Sequence, residues 1–95
     1  MIRSFKHQLA EDIFRDRVTG ASRKFPAMLR KIAKRKLEYL NSAIALADLK
    51  QPPGNRMEAL KGNLKGNYSI RINDQWRVVF RWENGAFEVE VVDYH

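Results

Sequence analysis

Residues 76–82 read Trp-Arg-Val-Val-Phe-Arg-Trp, so Arg77 and Arg81 alternate with Trp76, Val78, Phe80 and Trp82. In an extended strand that alternation sends the aromatic residues to one face and both arginines to the other. Lys61 upstream and a closing Asp93-Tyr94-His95 complete a set of side chains able to act on a phosphodiester. Metal-free cleavage of an RNA strand needs a base for the 2′-OH proton, cations for the equatorial oxygens and an acid for the leaving oxygen. Lys61 and Arg77 are the cations of this set, Tyr94 and His95 can move protons, and Asp93 can hold or charge a neighbouring imidazole.

The elements that must position these groups follow from turns and parity. Asn84-Gly85 is a two-residue hairpin signal that pairs 83 with 86, 81 with 88, 79 with 90 and 77 with 92, and puts Phe87, Val89 and Val91 on the tryptophan face. The strand Tyr68-Ser69-Ile70-Arg71-Ile72 must present Tyr68, Ile70 and Ile72 to the same face, because a one-residue slip turns every side chain over. That condition requires a three-residue turn, Asn73-Asp74-Gln75, which sets Ile72 opposite Trp76 and Arg71 opposite Arg77. Like charges directly across a strand pair destabilise it, so a compensating anion is expected. Either Glu90, the nearest acid, serves both arginines with water, or the pair holds a phosphate, whose geometry suits the planar guanidinium.

Upstream, the stretch between Pro26 and Pro52 lacks Gly and Pro and carries Leu29, Ile32, Ala33, Leu37, Leu40 and Ile44 at helical spacing. It predicts the main helix, opened by Pro26. Arg30, Lys31, Lys34, Arg35 and Lys36 cluster away from that stripe with Glu38 as their only partner, and read as a solvated face or a contact for phosphate, ribosome or an acidic partner. A shorter helix over Leu9–Arg17 turns Leu9, Ile13 and Phe14 inward and stops at Thr19-Gly20. Met1–Lys6 adds a strand. After Pro52-Pro53-Gly54 the period changes to that of strands, so helices precede sheet. The fold class expected is α+β in one domain over residues 1–95.

Composition narrows the function. The chain has 18 Lys and Arg against 11 Asp and Glu, a formal net charge of +7, and a balance of that kind attracts polyanions, nucleic acid above all. With no cysteine, and with His7 and His95 at opposite ends as its only imidazoles, it has no metal-ligand spacing, and neither metal nor cofactor is expected. No run approaches the ~20 apolar residues of a membrane span, and Ile2-Arg3-Ser4-Phe5-Lys6 is no signal peptide, so no membrane partner and a cytoplasmic location are expected.

The segments Pro-Pro-Gly-Asn-Arg-Met-Glu-Ala-Leu-Lys-Gly-Asn-Leu-Lys-Gly (52–66), Tyr-Ser-Ile-Arg-Ile-Asn-Asp-Gln-Trp-Arg-Val-Val-Phe (68–80) and the terminal Val-Asp-Tyr-His resemble HigB-type toxins of the RelE/ParE superfamily. The opening Ile-Arg-Ser-Phe-Lys-His and the Ala-Lys-Arg-Lys-Leu-Glu-Tyr-Leu-Asn-Ser-Ala helix agree with it. The resemblance implies two helices on a curved antiparallel sheet, and a toxin that enters the ribosomal A site and cuts messenger RNA during translation. It also implies a HigA-like helix-turn-helix antitoxin, which silences the toxin and with it represses their shared operon, so that operator DNA is met only through the complex.

By position, the family's active-site lysine falls on Lys61, its arginine after tryptophan on Arg77, and its terminal acid, tyrosine and histidine on Asp93, Tyr94 and His95. The departure is Glu58, where many relatives have histidine, which leaves three alternatives: Glu58 is the base, His95 is the base, or the position matters little. Arg56, Lys65 and Arg71 are the expected RNA-binding contacts, since Lys and Arg around a cleft grip a phosphate chain without reading sequence. Two other functions fit the same features: ParE-like inhibition of DNA gyrase, against which Lys61 and the Asp-Tyr-His ending argue, and a basic RNA- or ribosome-binding module without chemistry.

Overall fold

A computed structural model describes residues 1–93 of the chain. Helices α1 (Gln8–Phe14), α2 (Gly20–Arg23) and α3 (Arg30–Ser42) come first, and strands β1 (Glu58–Ala59), β2 (Asn67–Arg71), β3 (Trp76–Trp82) and β4 (Ala86–Asp93) follow. The strands form one antiparallel sheet in the order β1-β2-β3-β4. The α+β class expected from the change of period is the one observed.

The helices pack on one face of the sheet. Ala10 and Ile13 of α1, Ala33, Leu37 and Leu40 of α3, and Ile70, Val78, Phe80 and Val89 of the sheet share one buried cluster. Trp76 meets Phe25 edge-on at 4.9 Å between ring centroids, and Tyr68 stacks on Phe80 at 6.1 Å. Those aromatics therefore belong to the core, as parity requires.

The helical half departs from expectation in three places. α1 ends at Phe14 rather than Arg17, since Asp16 turns into the left-handed region at φ 56°. Thr19-Gly20 starts a helix instead of ending one: Thr19 Oγ1 accepts from the Ser22 amide and Ser22 Oγ from the Thr19 amide, a reciprocal cap. α3 ends at Ser42, which leaves Ile44 91% exposed while Leu49, on a 3-10 turn over Leu46–Lys50, enters the core. Asp48 Oδ2 fixes that turn by accepting from the Ala45 and Ile44 amides at 3.0 and 2.9 Å, and the two bonds hold its carboxyl below the usual carboxylate value.

The opening residues run parallel to β4 through bridges at Ile2–Ala86 and Phe5–Val89 rather than as a full strand. The β3–β4 hairpin carries a second correction. Its half remote from the turn has the expected register, with Arg77 opposite Val92 and Val79 opposite Glu90, but Trp82 pairs with Ala86 and Arg81 with Phe87. A bulge at Glu88, φ 53°, makes the shift. Ala86 therefore takes the core side, and Phe87 moves to the arginine side, where its ring lies 4.8 Å from the Arg81 guanidinium. Gly85 at the turn, φ 143°, has no room for a Cβ, which would meet Arg3 Nε at 2.8 Å and the Met1 carbonyl at 2.9 Å.

Candidate active site

The candidate site is the sheet face turned away from the helices. Pairing places three rows on it: Arg71, Arg77 and Val92; Glu58, Ser69, Val79 and Glu90; and Asn67, Arg81 and Phe87. The three-residue turn is as parity demands, with the Ile72 amide bonded to the Trp76 carbonyl at 3.0 Å and Arg71 opposite Arg77. Asn73 Oδ1 shapes the turn by accepting from the Gln75 and Trp76 amides at 3.0 and 2.7 Å.

The two arginines are not compensated by Glu90. Arg71 pairs with Asp74 through Nη2, an ion pair within the turn itself. Arg77 Nη1 donates to the backbone carbonyls of Asn73 and Trp76, the latter at 3.3 Å. Glu90 is held by Lys6 at 3.2 Å. No ion pair joins Arg77 to a carboxylate among the described residues. Arg81, expected opposite Glu88, lies 2.7 Å from Glu83 and 4.0 Å from Glu88. The outcome is a half-buried guanidinium anchored by carbonyls, with no ion-pair partner among the described residues.

Of the other expected site residues, Glu58 lies opposite Ser69, diagonal to Arg71 and on the same face. The register puts these two on the face that carries Arg77. Lys61 and Lys65 flank the 3-10 turn at Gly62–Leu64, both exposed. The Leu60 amide binds the Asn67 carbonyl at 2.9 Å, so this turn stands at the Asn67–Arg81 end of the sheet, a strand's length along β2 from Arg71. Arg56 is exposed and left-handed, φ 42°, after a short 3-10 turn at Pro53–Asn55. Asp93 pairs with Trp76 across β3–β4 and accepts from Gln75 Nε2 at 2.9 Å, so its register position falls on the aromatic side and not beside Arg77. Tyr94 and His95 lie outside the described residues.

The basic run of α3 is more engaged than its sequence suggests. Lys34 pairs with Asp16, and Arg30 donates to the carbonyls of Ser22 and Arg17, both at 3.1 Å. Lys36 is buried, with Nζ 2.7 Å from Asn55 Oδ1, while Asn55 Nδ2 donates to the Leu49 and Gln51 carbonyls. Burial, then Arg35 and Arg71, push the Lys36 ammonium below its ordinary value. Sequence reasoning missed Lys6, Lys36, Asn55 and Asp74. Only Asp74 had a local signal, three residues after Arg71 in a turn. Among the described residues no cluster of three His, Cys, Asp or Glu side chains is placed to hold a metal ion, and no helix is long and apolar enough to cross a membrane.

The fold has counterparts among solved structures. It superposes on a chain of the YoeB-YefM complex from Staphylococcus aureus with a TM-score of 0.62 at 20% identity, covering 100% of this chain and 98% of that one. A YoeB/ParE toxin from Agrobacterium tumefaciens matches with a TM-score of 0.53 at 18% identity, over 99% of both chains. In sequence, residues 3–95 match the family model of the RelE-like toxin of type II toxin-antitoxin system HigB. Toxin HigB-1 of Vibrio cholerae serotype O1 is 41% identical over 95 residues, 100% of this chain and 98% of that protein. Endoribonuclease HigB of Proteus vulgaris is 30% identical over 96 residues, with 100% of both covered. The chain belongs to the HigB family of RelE-like toxins.

Proposed function

We propose that this chain is the toxin of a type II toxin–antitoxin pair and acts as a ribosome-dependent, metal-independent endoribonuclease that cuts messenger RNA in the A site. The observation that carries the reading is Arg77: its Nη1 is pinned by two backbone carbonyls, and no described carboxylate neutralises it. The name of the Proteus vulgaris relative supports the reaction class.

In this reading Arg77 holds the non-bridging oxygens of the scissile phosphate and stabilises the charge that grows on them. Glu58 shares its face and is a candidate base for the 2′-OH proton, with His95 the other. Tyr94 and His95 supply the proton for the leaving oxygen, and Asp93 orients them. Lys61, with Arg56 and Lys65, grips the RNA backbone toward the other end of the sheet, and Arg71 extends the contact beside Arg77. The antitoxin partner is a HigA-like helix-turn-helix protein, and operator DNA is reached only through that complex.

The test uses purified protein with no C-terminal tag, on ribosomes stalled with a defined codon in an open A site. Messenger ends are mapped by primer extension, with EDTA present and with free RNA as control. Cleavage within the A-site codon that survives EDTA and vanishes in Arg77→Ala is the expected result. Intact messenger across several codons overturns the reading, and supercoiling by gyrase is then the assay to run.

A further inference from the structure

Glu90 is the acid best placed to disable the site. It sits opposite Val79 on the arginine face, and Arg77 is two residues from Val79 on the same strand, so the carboxylate is the diagonal neighbour of Arg77 across β3–β4. Diagonal partners at that separation are within reach of long side chains. Glu90 is also largely enclosed, its side chain 16% exposed, so water does little to quench its charge. The carboxylate nonetheless points to Lys6, with Oε2 3.2 Å from Nζ.

Backbone geometry places Lys6 there. The Lys6 amide donates to the Val89 carbonyl at 2.9 Å, the Val89 amide to the Ser4 carbonyl at 3.0 Å, and the Glu88 amide to Ser4 Oγ at 2.8 Å, which locks the opening segment along the outer edge of β4 at the bulge. Lys6 thus lies on one side of Glu90 and Arg77 on the other. From this we infer that Lys6 is a positioning residue for the nuclease: by holding Glu90 toward the sheet edge it keeps Arg77 free for a substrate phosphate. The inference rests on the reading of Arg77 given above. It gives the opening segment a role in the chemistry besides covering a sheet edge.

The experiment compares Lys6→Gln, Lys6→Arg, Glu90→Gln and the double variant Lys6→Gln/Glu90→Gln. Each is assayed for A-site cleavage on programmed ribosomes, with thermal melts confirming the fold. Lys6→Gln is expected to slow cleavage by roughly threefold to fivefold, the scale of one partly exposed ion pair. Lys6→Arg and Glu90→Gln retain the rate, and adding Glu90→Gln to Lys6→Gln restores it, which a purely structural role for Lys6 does not predict. A crystal structure of Lys6→Gln is expected to show the Glu90 carboxylate in ion-pair contact with Arg77. A Glu90 that stays away from Arg77 in that structure, or a double variant as slow as Lys6→Gln, overturns the inference. Should Arg77→Ala cleave at the full rate, the nuclease role of Arg77 fails instead, and the crystal structure still decides whether Lys6 keeps Glu90 off Arg77.

Discussion

The two faces of β3 obey different rules. On the helix side, Val78 and Phe80 are fully buried and Trp76 and Trp82 pack against the same cluster. On the other side Arg77 and Arg81 are half-buried, and the acids assigned to them by register alone are not their nearest partners, Glu88 keeping only a 4.0 Å contact with Arg81. Glu90 goes to Lys6, Arg77 turns to backbone carbonyls, and Arg81 takes Glu83 and stacks on Phe87. Apolar burial is non-directional and follows from which face a residue occupies. Ion pairing depends on side-chain reach and on segments distant along the chain, so a face assignment does not choose the partner.

The largest effect that would sharpen this contrast is on the helix side. Phe80→Ala empties a fully buried aromatic site and is expected to cost about 3–5 kcal/mol in urea unfolding. Arg77→Ala should leave the melting temperature almost unchanged while lowering A-site cleavage by about a hundredfold or more, the scale of a lost oxyanion donor. Equal losses of stability in the two variants would erase the distinction between the faces.

Lys36 provides a smaller test, on pH. Its folded-state ammonium titrates below the ordinary lysine value of 10.5. Above the folded value the unfolded chain binds the extra proton, so stability rises with pH until the unfolded value is reached. Wild type should therefore gain stability relative to Lys36→Met as the pH rises toward the ordinary lysine value of 10.5, read from urea melts. A constant difference would show that Lys36 keeps its charge inside the fold at no cost.

The smallest effect belongs to Arg71→Ala. Loss of its ion pair with the exposed Asp74 is offset by relief of repulsion from Arg77 and Lys36, and the stability change is expected within about 0.5 kcal/mol. Its cleavage loss should be well below that of Arg77→Ala. A large loss of stability would mean that Asp74 organises the turn through Arg71.

Much of the sheet was legible in advance. Parity demanded the Asn73-Asp74-Gln75 turn and the Arg71–Arg77 pairing, and both are present. The bulge at Glu88 was not legible, since it comes from docking the opening segment through Ser4 and Val89, more than eighty positions apart in the chain. The helical half was read less well. A capping threonine and a stop signal look alike until Ser22 closes the reciprocal bond, and Ile44 continues the apolar stripe of α3 although Asp48 ends the helix before it.

By itself the sequence determined the order of helices and sheet, which face of each strand is apolar, and the family, because periodicity and motif are local properties of the chain. Only the tertiary structure decided that Lys36 is buried against Asn55 and that Lys6 rather than an arginine holds Glu90. Each of those contacts joins residues far apart in sequence, and their energy depends on burial and distance, which exist only once the chain has closed on itself.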